Sequence, residues 1–102
     1  MARLLVLYNQ PADPAIFDRY YYETHVPIAK RIPGLRSYTV SAAKPAMVAG
    51  SFSPHMIAEL EFDSMPALQA AMASPEGQAA AADVANFAQA GVTLLVFDTR
   101  AL

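Results

Sequence analysis

The segment 55–62, HMIAELEF, constrains the fold more than any other part of the 102-residue chain. Apolar side chains recur at every second position, which is the pattern of a β-strand buried on one side. The apolar side consists of Met56, Ala58, Leu60 and Phe62. This side should pack against helices, whereas the other side, which carries His55 and two glutamates, must face water or a second sheet.

Three further segments are predicted to be strands. Residues 3–8 (RLLVLY) and 92–98 (VTLLVFD) are apolar runs typical of strands buried on both sides. Residues 35–42 (LRSYTVSA) alternate, with Tyr38 and Val40 on the more apolar side. Residues 43–54 contain two prolines and a glycine, so we expect a long loop there.

Capping residues followed by proline predict where the helices begin. Asp13-Pro14 should begin a helix that runs to about Ile32, and Ser64 and Ser74 should begin two shorter helices. The last of these should end near Phe87. The order is then βαββαβ with the second α divided in two, which indicates a ferredoxin-like α+β fold with a four-stranded antiparallel sheet and helices on one face.

The apolar content predicts a partner for the bare face of that sheet. Apolar residues make up 55% of the chain, above the ~45–50% that is usual for globular domains. Such an excess favours association with a second copy. We therefore expect a homodimer in which two sheets pack face to face and close a barrel.

The composition also disfavours several classes of function. A net charge of −2 argues against nucleic-acid binding, which requires a basic face. The absence of cysteine excludes disulfides and thiolate metal sites and fits a reducing compartment. The apolar run 4–8 is too short for a signal peptide or a membrane span, so the expected location is the cytoplasm, without a membrane partner.

The segment 17–35, FDRYYYETHVPIAKRIPGL, is the most informative about a site. Helical spacing predicts an apolar stripe that consists of Phe17, Tyr21, Thr24, Ile28 and Ile32. His25 lies at the edge of this stripe, one turn after Tyr21. Pro27 has no N–H and biases Val26 away from helical geometry, so we expect a kink or a helix end beside His25.

The pattern alone leaves the roles of these residues open. A lone histidine beside an apolar stripe is more often a packed residue than a catalytic one. Tyr20 to Tyr22 could stack on a planar ligand, or belong to the core with Tyr22 at the surface. The only two histidines lie far apart in sequence and lack a third ligand, so we predict no metal site. By strand alternation, Tyr38 and His55 should lie on opposite faces of the sheet.

Two segments resemble the EthD family, which is named from ethyl tert-butyl ether degradation. They are FDRYYYETHVPIAKRIPGLRSYTV (17–40) and SPEGQAAAADVANFAQAGV (74–92). The resemblance implies a dimeric α+β barrel whose cavity, between sheet and helices, holds small and often aromatic molecules.

The resemblance also implies a set of site residues. It makes His25 the candidate catalytic residue with Tyr21 beside it, and Asp83 and Phe87 match the C-terminal motif. Asp83 could instead hydrogen-bond only within the fold. The remaining candidate substrate-binding residues are Phe17, Tyr38 and His55.

Three functions are compatible with these observations. The first is a cofactor-free isomerase, dehydratase or monooxygenase for a small hydrophobic or aromatic substrate, with His25 as general base and tyrosine hydroxyls holding a developing oxyanion. The second is a non-catalytic ligand-binding or accessory protein of a catabolic or biosynthetic pathway. The third is a haem- or metal-dependent member of the same class of barrel.

Overall fold

Strands and helices follow one another in the predicted order in the computed structural model, which describes residues 1–102. The strands are β1 (Ala2–Tyr8), β2 (Ser37–Val40), β3 (Met56–Phe62) and β4 (Val92–Asp98). The helices are α1 (Pro14–Tyr20), α2 (Val26–Ala29), α3 (Met65–Ala73) and α4 (Pro75–Asp83). A π turn, Tyr21–His25, joins α1 to α2, and a 3-10 turn, Val84–Asn86, extends α4.

The four strands form one antiparallel sheet in the order β2-β3-β1-β4. Leu4 of β1 lies opposite Leu60 of β3 on one side and opposite Val96 of β4 on the other. All helices lie on one face, so the ferredoxin-like α+β fold predicted from the sequence is confirmed. The strand pattern of residues 55–62 is confirmed as well, because its four apolar side chains are buried against the helices.

Side-chain caps begin the helices as predicted. The side chain of Asp13 accepts a hydrogen bond from the Ile16 N–H, that of Ser64 from the Ala67 N–H, and that of Ser74 from the Gly77 N–H. A proline follows each cap within the first turn. Each cap satisfies an N–H group that the helix leaves free and is worth about 1 kcal/mol.

The π turn changes which residues of the first helix face the core. The N–H of Val26 donates to the carbonyl of Tyr21, five residues earlier, directly before Pro27, which has no N–H to donate. We expected a kink or a helix end beside His25; the helix does not end here, and the irregularity that Pro27 predicts takes the form of this π turn. The wider turn accommodates one extra residue, and the buried stripe continues through His25 and Ala29.

The shift in phase corrects the predicted apolar stripe. Thr24 was expected in the core but is exposed, and Ile28 is only half-buried. His25, expected at the edge of the stripe, is 5% exposed. The helix also ends at Ala29 rather than near Ile32, because a short turn follows it.

The prediction that β1 and β4 are buried on both sides is wrong for the single chain. On β1, the residues of the bare face are half-buried. On β4, the four residues Leu94, Leu95, Val96 and Phe97 are 40–54% exposed. The reason is position: β4 is an edge strand of the sheet, and no helix covers its outer edge or the bare face. The loop 45–54 lies only against the end of that face that carries Leu7 and Ile57.

Gly77 marks the closest approach between α3 and α4, and its replacement tests that packing. A Cβ at this position would overlap the carbonyl oxygen of Ala71 and lie 2.9 Å from the Cα of Met72. We expect Gly77→Ala to lower the free energy of unfolding by about 1–3 kcal/mol, as overpacking does, although helix propensity alone would raise it by about 1 kcal/mol.

Urea unfolding measures the sign of this effect. The control is Ala79→Gly on the same helix, at an exposed position, which should cost about 1 kcal/mol through helix propensity alone. A more stable Gly77→Ala protein would contradict the close packing of the two helices.

Candidate active site

A buried histidine–aspartate pair lies between the π turn and the end of α4. Nδ1 of His25 is 2.9 Å from Oδ2 of Asp83, and both side chains are less than 10% exposed. His25 is the last residue of the π turn and points inward. Asp83 is the last residue of α4 and lies against it. Two residues that are 58 positions apart in the sequence thus form one unit.

Asp83 accepts hydrogen bonds from three side chains. Besides His25, Oη of Tyr20 donates to Oδ1 at 2.7 Å and Nδ2 of Asn86 donates to the same oxygen at 3.0 Å. Burial raises the pKa of Asp83, but the hydrogen bonds from Tyr20, His25 and Asn86 outweigh it and hold the pKa below its ordinary value. Asp83 is therefore an ionised carboxylate at neutral pH.

The charge of Asp83 determines where neutral His25 carries its proton. An ionised carboxylate can only accept hydrogen bonds, so Nδ1 of His25 must donate. In the neutral ring, Nε2 then keeps its lone pair, and this nitrogen makes no hydrogen bond within the chain. Such a nitrogen can accept a proton from a bound molecule.

Aromatic rings pack around the histidine. The ring centre of Phe87 is 4.7 Å from that of His25, and the ring centre of Tyr21 is 5.4 Å from it. Phe17 packs against Phe87 and stacks on Tyr21. These contacts hold the imidazole in one orientation and keep bulk water away from it.

A cavity of about 50 Å³ lies between the helices and the sheet. Of its 16 lining residues, 14 are hydrophobic, and the polar groups on its wall include His25, Tyr8, Tyr21 and Tyr38. This volume accommodates a few water molecules but is well below the ~300–1,000 Å³ of typical ligand pockets. A larger molecule can therefore enter only if side chains of the wall move.

Two tyrosines form a hydroxyl pair on the wall of this cavity. The Oη atoms of Tyr21 and Tyr38 are 2.5 Å apart, which is a hydrogen bond. Burial is the main cause that raises the pKa of both phenols, and it raises the pKa of nearby Tyr8 as well. All three hydroxyls therefore stay protonated. Because one member of the Tyr21–Tyr38 pair donates to the other, the pair has one O–H left for an oxygen atom of a ligand.

The structure divides the predicted site residues into two groups. His25, Tyr21 and Tyr38 lie together on the wall of the cavity. Phe17 and Phe87 pack behind them, and Asp83 lies on the far side of His25. These last three support the histidine rather than line the cavity.

His55 lies outside this arrangement. Its Nε2 is 2.8 Å from Oδ1 of Asp18, and its ring packs against Phe17, so it lies on the helix side of the sheet together with Tyr38. The predicted opposite placement is wrong. The strand begins only at Met56 and His55 occupies a bend before it, so strand alternation does not apply to this residue.

Two members of the site, Tyr20 and Asn86, were not predicted from the sequence. Tyr20 was considered only as a stacking residue, and Asn86 was not considered. The spacing of Asp83 and Asn86, three residues apart at a helix end, was a signal that they could meet. No sequence signal placed Tyr20 beside His25, because residues five apart do not share a face of an α-helix.

No three histidine or acidic side chains lie close enough together to hold a metal ion.

The comparisons with known proteins define the class of this chain. The family model for the EthD domain matches residues 9–91, and the chain therefore belongs to the EthD family. A Rhodococcus erythropolis protein, called an uncharacterised 11.0 kDa protein in the thcB-thcC intergenic region, is 46% identical over 99 residues. That match covers 96% of this chain and 94% of the relative.

Solved structures agree with this assignment. An EthD family protein from Bacillus halodurans superposes with a TM-score of 0.87 at 34% identity, covering 98% of this chain and 99% of the other. SnoaB, a cofactor-independent oxygenase from Streptomyces nogalater, has a TM-score of 0.65 at 16% identity, covering 99% and 94%. A dimeric ferredoxin-like protein from Thermobifida fusca has a TM-score of 0.68 at 15% identity, covering 96% and 90%. The last two share the fold of this chain.

None of the helices in this chain is long and apolar enough to cross a membrane.

The lowered pKa of Asp83 predicts how stability depends on pH. Because the folded pKa lies below the unfolded value of about 3.9, the ionised carboxylate stabilises the fold above that value, and this contribution disappears as the pH falls through the folded pKa. We expect Asp83→Asn to lose less stability than the wild type when the pH is lowered from about 6 to 2.

Urea unfolding at a series of pH values measures this difference. Asp63→Asn is the control. The pKa of Asp63 is also lowered, through its hydrogen bond with Arg36, but both side chains are exposed, so solvent screens their interaction. This substitution should flatten the acid dependence less than Asp83→Asn does. Equal acid dependence in the wild type and Asp83→Asn would contradict an ionised, stabilising Asp83.

Proposed function

We propose that this protein binds a small hydrophobic or aromatic molecule in the cavity beside His25 and converts it as a cofactor-free isomerase, dehydratase or monooxygenase. One observation supports this proposal above the others. A buried histidine on the wall of the cavity has Nδ1 held by an ionised carboxylate and Nε2 free. This is the arrangement that a general base requires.

In the proposed reaction, Nε2 of His25 removes a proton from a carbon acid or a phenol of the substrate. Asp83 stabilises the imidazolium ion that forms, without taking up the proton itself. The electron pair of the broken bond comes to reside on a substrate oxygen, and the hydrogen-bonded Tyr21–Tyr38 pair donates to the developing charge through its remaining O–H.

The fate of the proton distinguishes the three reactions. Return to another carbon gives isomerisation, and return to a leaving hydroxyl group gives water and thus dehydration. In oxygenation, the deprotonated carbon adds to molecular oxygen, which is the co-substrate, and the proton returns to the peroxide that forms. The peroxide then loses water as the carbon becomes a carbonyl, so one oxygen atom stays in the product and the other leaves as water. SnoaB is described as a cofactor-independent oxygenase. Because its sequence identity is low, it supports only the fold of this chain, and oxygenation is not favoured over the other two reactions.

Binding requires the cavity to widen. Met72 on the wall is flexible and half-buried, and Leu94 is half-exposed on the edge strand. Displacement of these two side chains would admit a single aromatic ring. The cavity is therefore suited to small, flat and largely apolar molecules with an oxygen atom that can face Tyr21 and Tyr38.

A non-catalytic binding or accessory role is the alternative. The predominance of hydrophobic residues on the cavity wall favours it, since such a wall holds a ligand without any chemistry. Binding without conversion over time would support this alternative. We further propose a cytoplasmic location, which the cysteine-free composition supports.

His25→Gln tests the catalytic proposal. Glutamine can still donate a hydrogen bond to Asp83 but cannot act as a base, so we expect turnover to fall by about 10²–10⁴-fold while binding persists. Phenols and aromatic lactones serve as probes. Binding is followed through the NMR signal of the His25 ring in the wild type and through protein signals of the cavity wall in both proteins, and conversion by mass spectrometry.

Thr24→Ala, an exposed neighbour on the same turn, is the control and should keep full turnover. Since the chain has only two histidines, His55→Ala suffices to assign the two ring signals. Undiminished turnover in His25→Gln would refute the role of His25 as general base.

We also propose that two copies of the chain form a homodimer through the bare face of the sheet. This face carries apolar side chains that remain at least partly exposed in the single chain: Leu5, Leu7, Ile57, Leu95 and Phe97. The loop 45–54 lies only against Leu7 and Ile57, at one end of the face. Arg3 pairs there with both Glu59 and Glu61, which offsets one of the two negative charges within each copy. The related fold from Thermobifida fusca is described as dimeric.

Leu95→Asp should weaken such a dimer. The substitution would bury two carboxylates in one interface, and several kcal/mol per ion corresponds to more than about a 100-fold increase in the dimer Kd. Sedimentation velocity at micromolar concentration measures the change. Ile16→Asp, at an exposed apolar position on α1, is the control and should remain dimeric. A monomeric wild type would refute the dimer.

A further inference from the structure

The two oxygens of Asp83 have different partners. Oδ1 accepts hydrogen bonds from Tyr20 and Asn86, whereas Oδ2 accepts only from His25. We propose that Tyr20 and Asn86 are positioning residues, which fix the carboxylate through Oδ1 so that Oδ2 stays on Nδ1 of His25 and Nε2 keeps its lone pair. The catalytic consequence rests on the proposed function, but the geometry and its test do not.

A buried carboxylate requires these partners for two reasons. First, an ion removed from water is costly unless hydrogen bonds replace the lost hydration. Neutral His25 supplies one such bond, and Tyr20 and Asn86 supply the others. Second, a carboxylate held at one oxygen only can rotate about its last bond, whereas two donors on Oδ1 fix the direction of Oδ2.

Irregular helix geometry brings the three donors together. Tyr20 and His25 are five residues apart, which would place them about 140° apart around an α-helix. The π turn between them, whose hydrogen bonds span five residues, brings residues at this spacing onto one side. Asn86 lies three residues after Asp83, and side chains at that spacing eclipse in a 3-10 turn. The first helix thus changes its geometry at the turn that contacts Asp83, and α4 changes its geometry directly after Asp83.

Tyr20 is suited to this role over a wide pH range. Its hydrogen bond to Asp83 raises the pKa of the Tyr20 phenol, so the hydroxyl remains a donor at and well above neutral pH. Its ring stacks on Phe87, which also packs against His25. Removal of the hydroxyl alone therefore leaves the aromatic packing around His25 in place.

Histidine 15N NMR of the ligand-free protein tests the proposal, because it reports which ring nitrogen carries the proton. In the wild type we expect neutral His25 to be a single tautomer, protonated at Nδ1. In Tyr20→Phe and in Asn86→Ala we expect a mixture of both tautomers. We also expect the pKa of Asp83, measured through its carboxyl 13C signal, to rise towards its ordinary value in both variants.

Tyr22→Phe and Gln89→Ala are the matched controls. Tyr22 lies on the same helix and Gln89 just after the 3-10 turn, both are exposed, and neither contacts Asp83. Both controls should retain the single tautomer of the wild type. Asn86 is exposed too, so if Tyr20→Phe does not fold, Asn86→Ala decides the result alone.

A merely structural role gives a different result. If both variants lose stability but keep the single Nδ1–H tautomer and the wild-type pKa of Asp83, the positioning role is refuted. The test also separates this proposal from the general-base proposal. Mixed tautomers together with full turnover in His25→Gln would refute catalysis by His25 but support its positioning by Tyr20 and Asn86.

Discussion

An ionised carboxylate surrounded by aromatic rings is the feature on which the candidate active site depends. Asp83 would be costly at this position without its three hydrogen-bond donors, and His25 would have no fixed tautomer without Asp83. The π turn and the end of α4 bring the donors to Asp83, and Asp83 in turn determines that Nε2 of His25 carries the lone pair. The tyrosine hydroxyls across the cavity stay protonated for the opposite reason, since burial without a cationic partner disfavours their charged form.

The sheet is well packed on one face and incomplete on the other. Its helix side holds the main core, whereas the bare face and the edge strand β4 keep apolar side chains in contact with water. The same strand contributes Leu94 to the wall of the cavity. The proposed dimer interface and the proposed widening of the cavity therefore involve the same edge of the molecule.

Much of the fold could be predicted from local signals, because these act within a few residues. Alternation in residues 55–62 and the caps at Asp13, Ser64 and Ser74 define most elements. The resemblance to the EthD family drew attention to His25 and Asp83. What could not be predicted depends on distant or irregular geometry. Pro27 predicts that a backbone hydrogen bond of the helix is missing, but it does not predict that a π turn forms there. Without knowledge of that turn, neither the full burial of His25 nor the position of Tyr20 could be predicted.

The π turn also has a consequence for comparing chains of this fold. It holds one residue more than an α-helical turn, so every side chain after it is rotated by about 100° relative to an unbroken helix. In a chain that is one residue shorter between Tyr21 and Val26, an unbroken α-helix would place the residues corresponding to Tyr20 and His25 four apart, again on one face. Two chains of this fold can therefore present the same pair of side chains although their helices differ in length by one residue, and their sequences align correctly only if the π turn is taken into account.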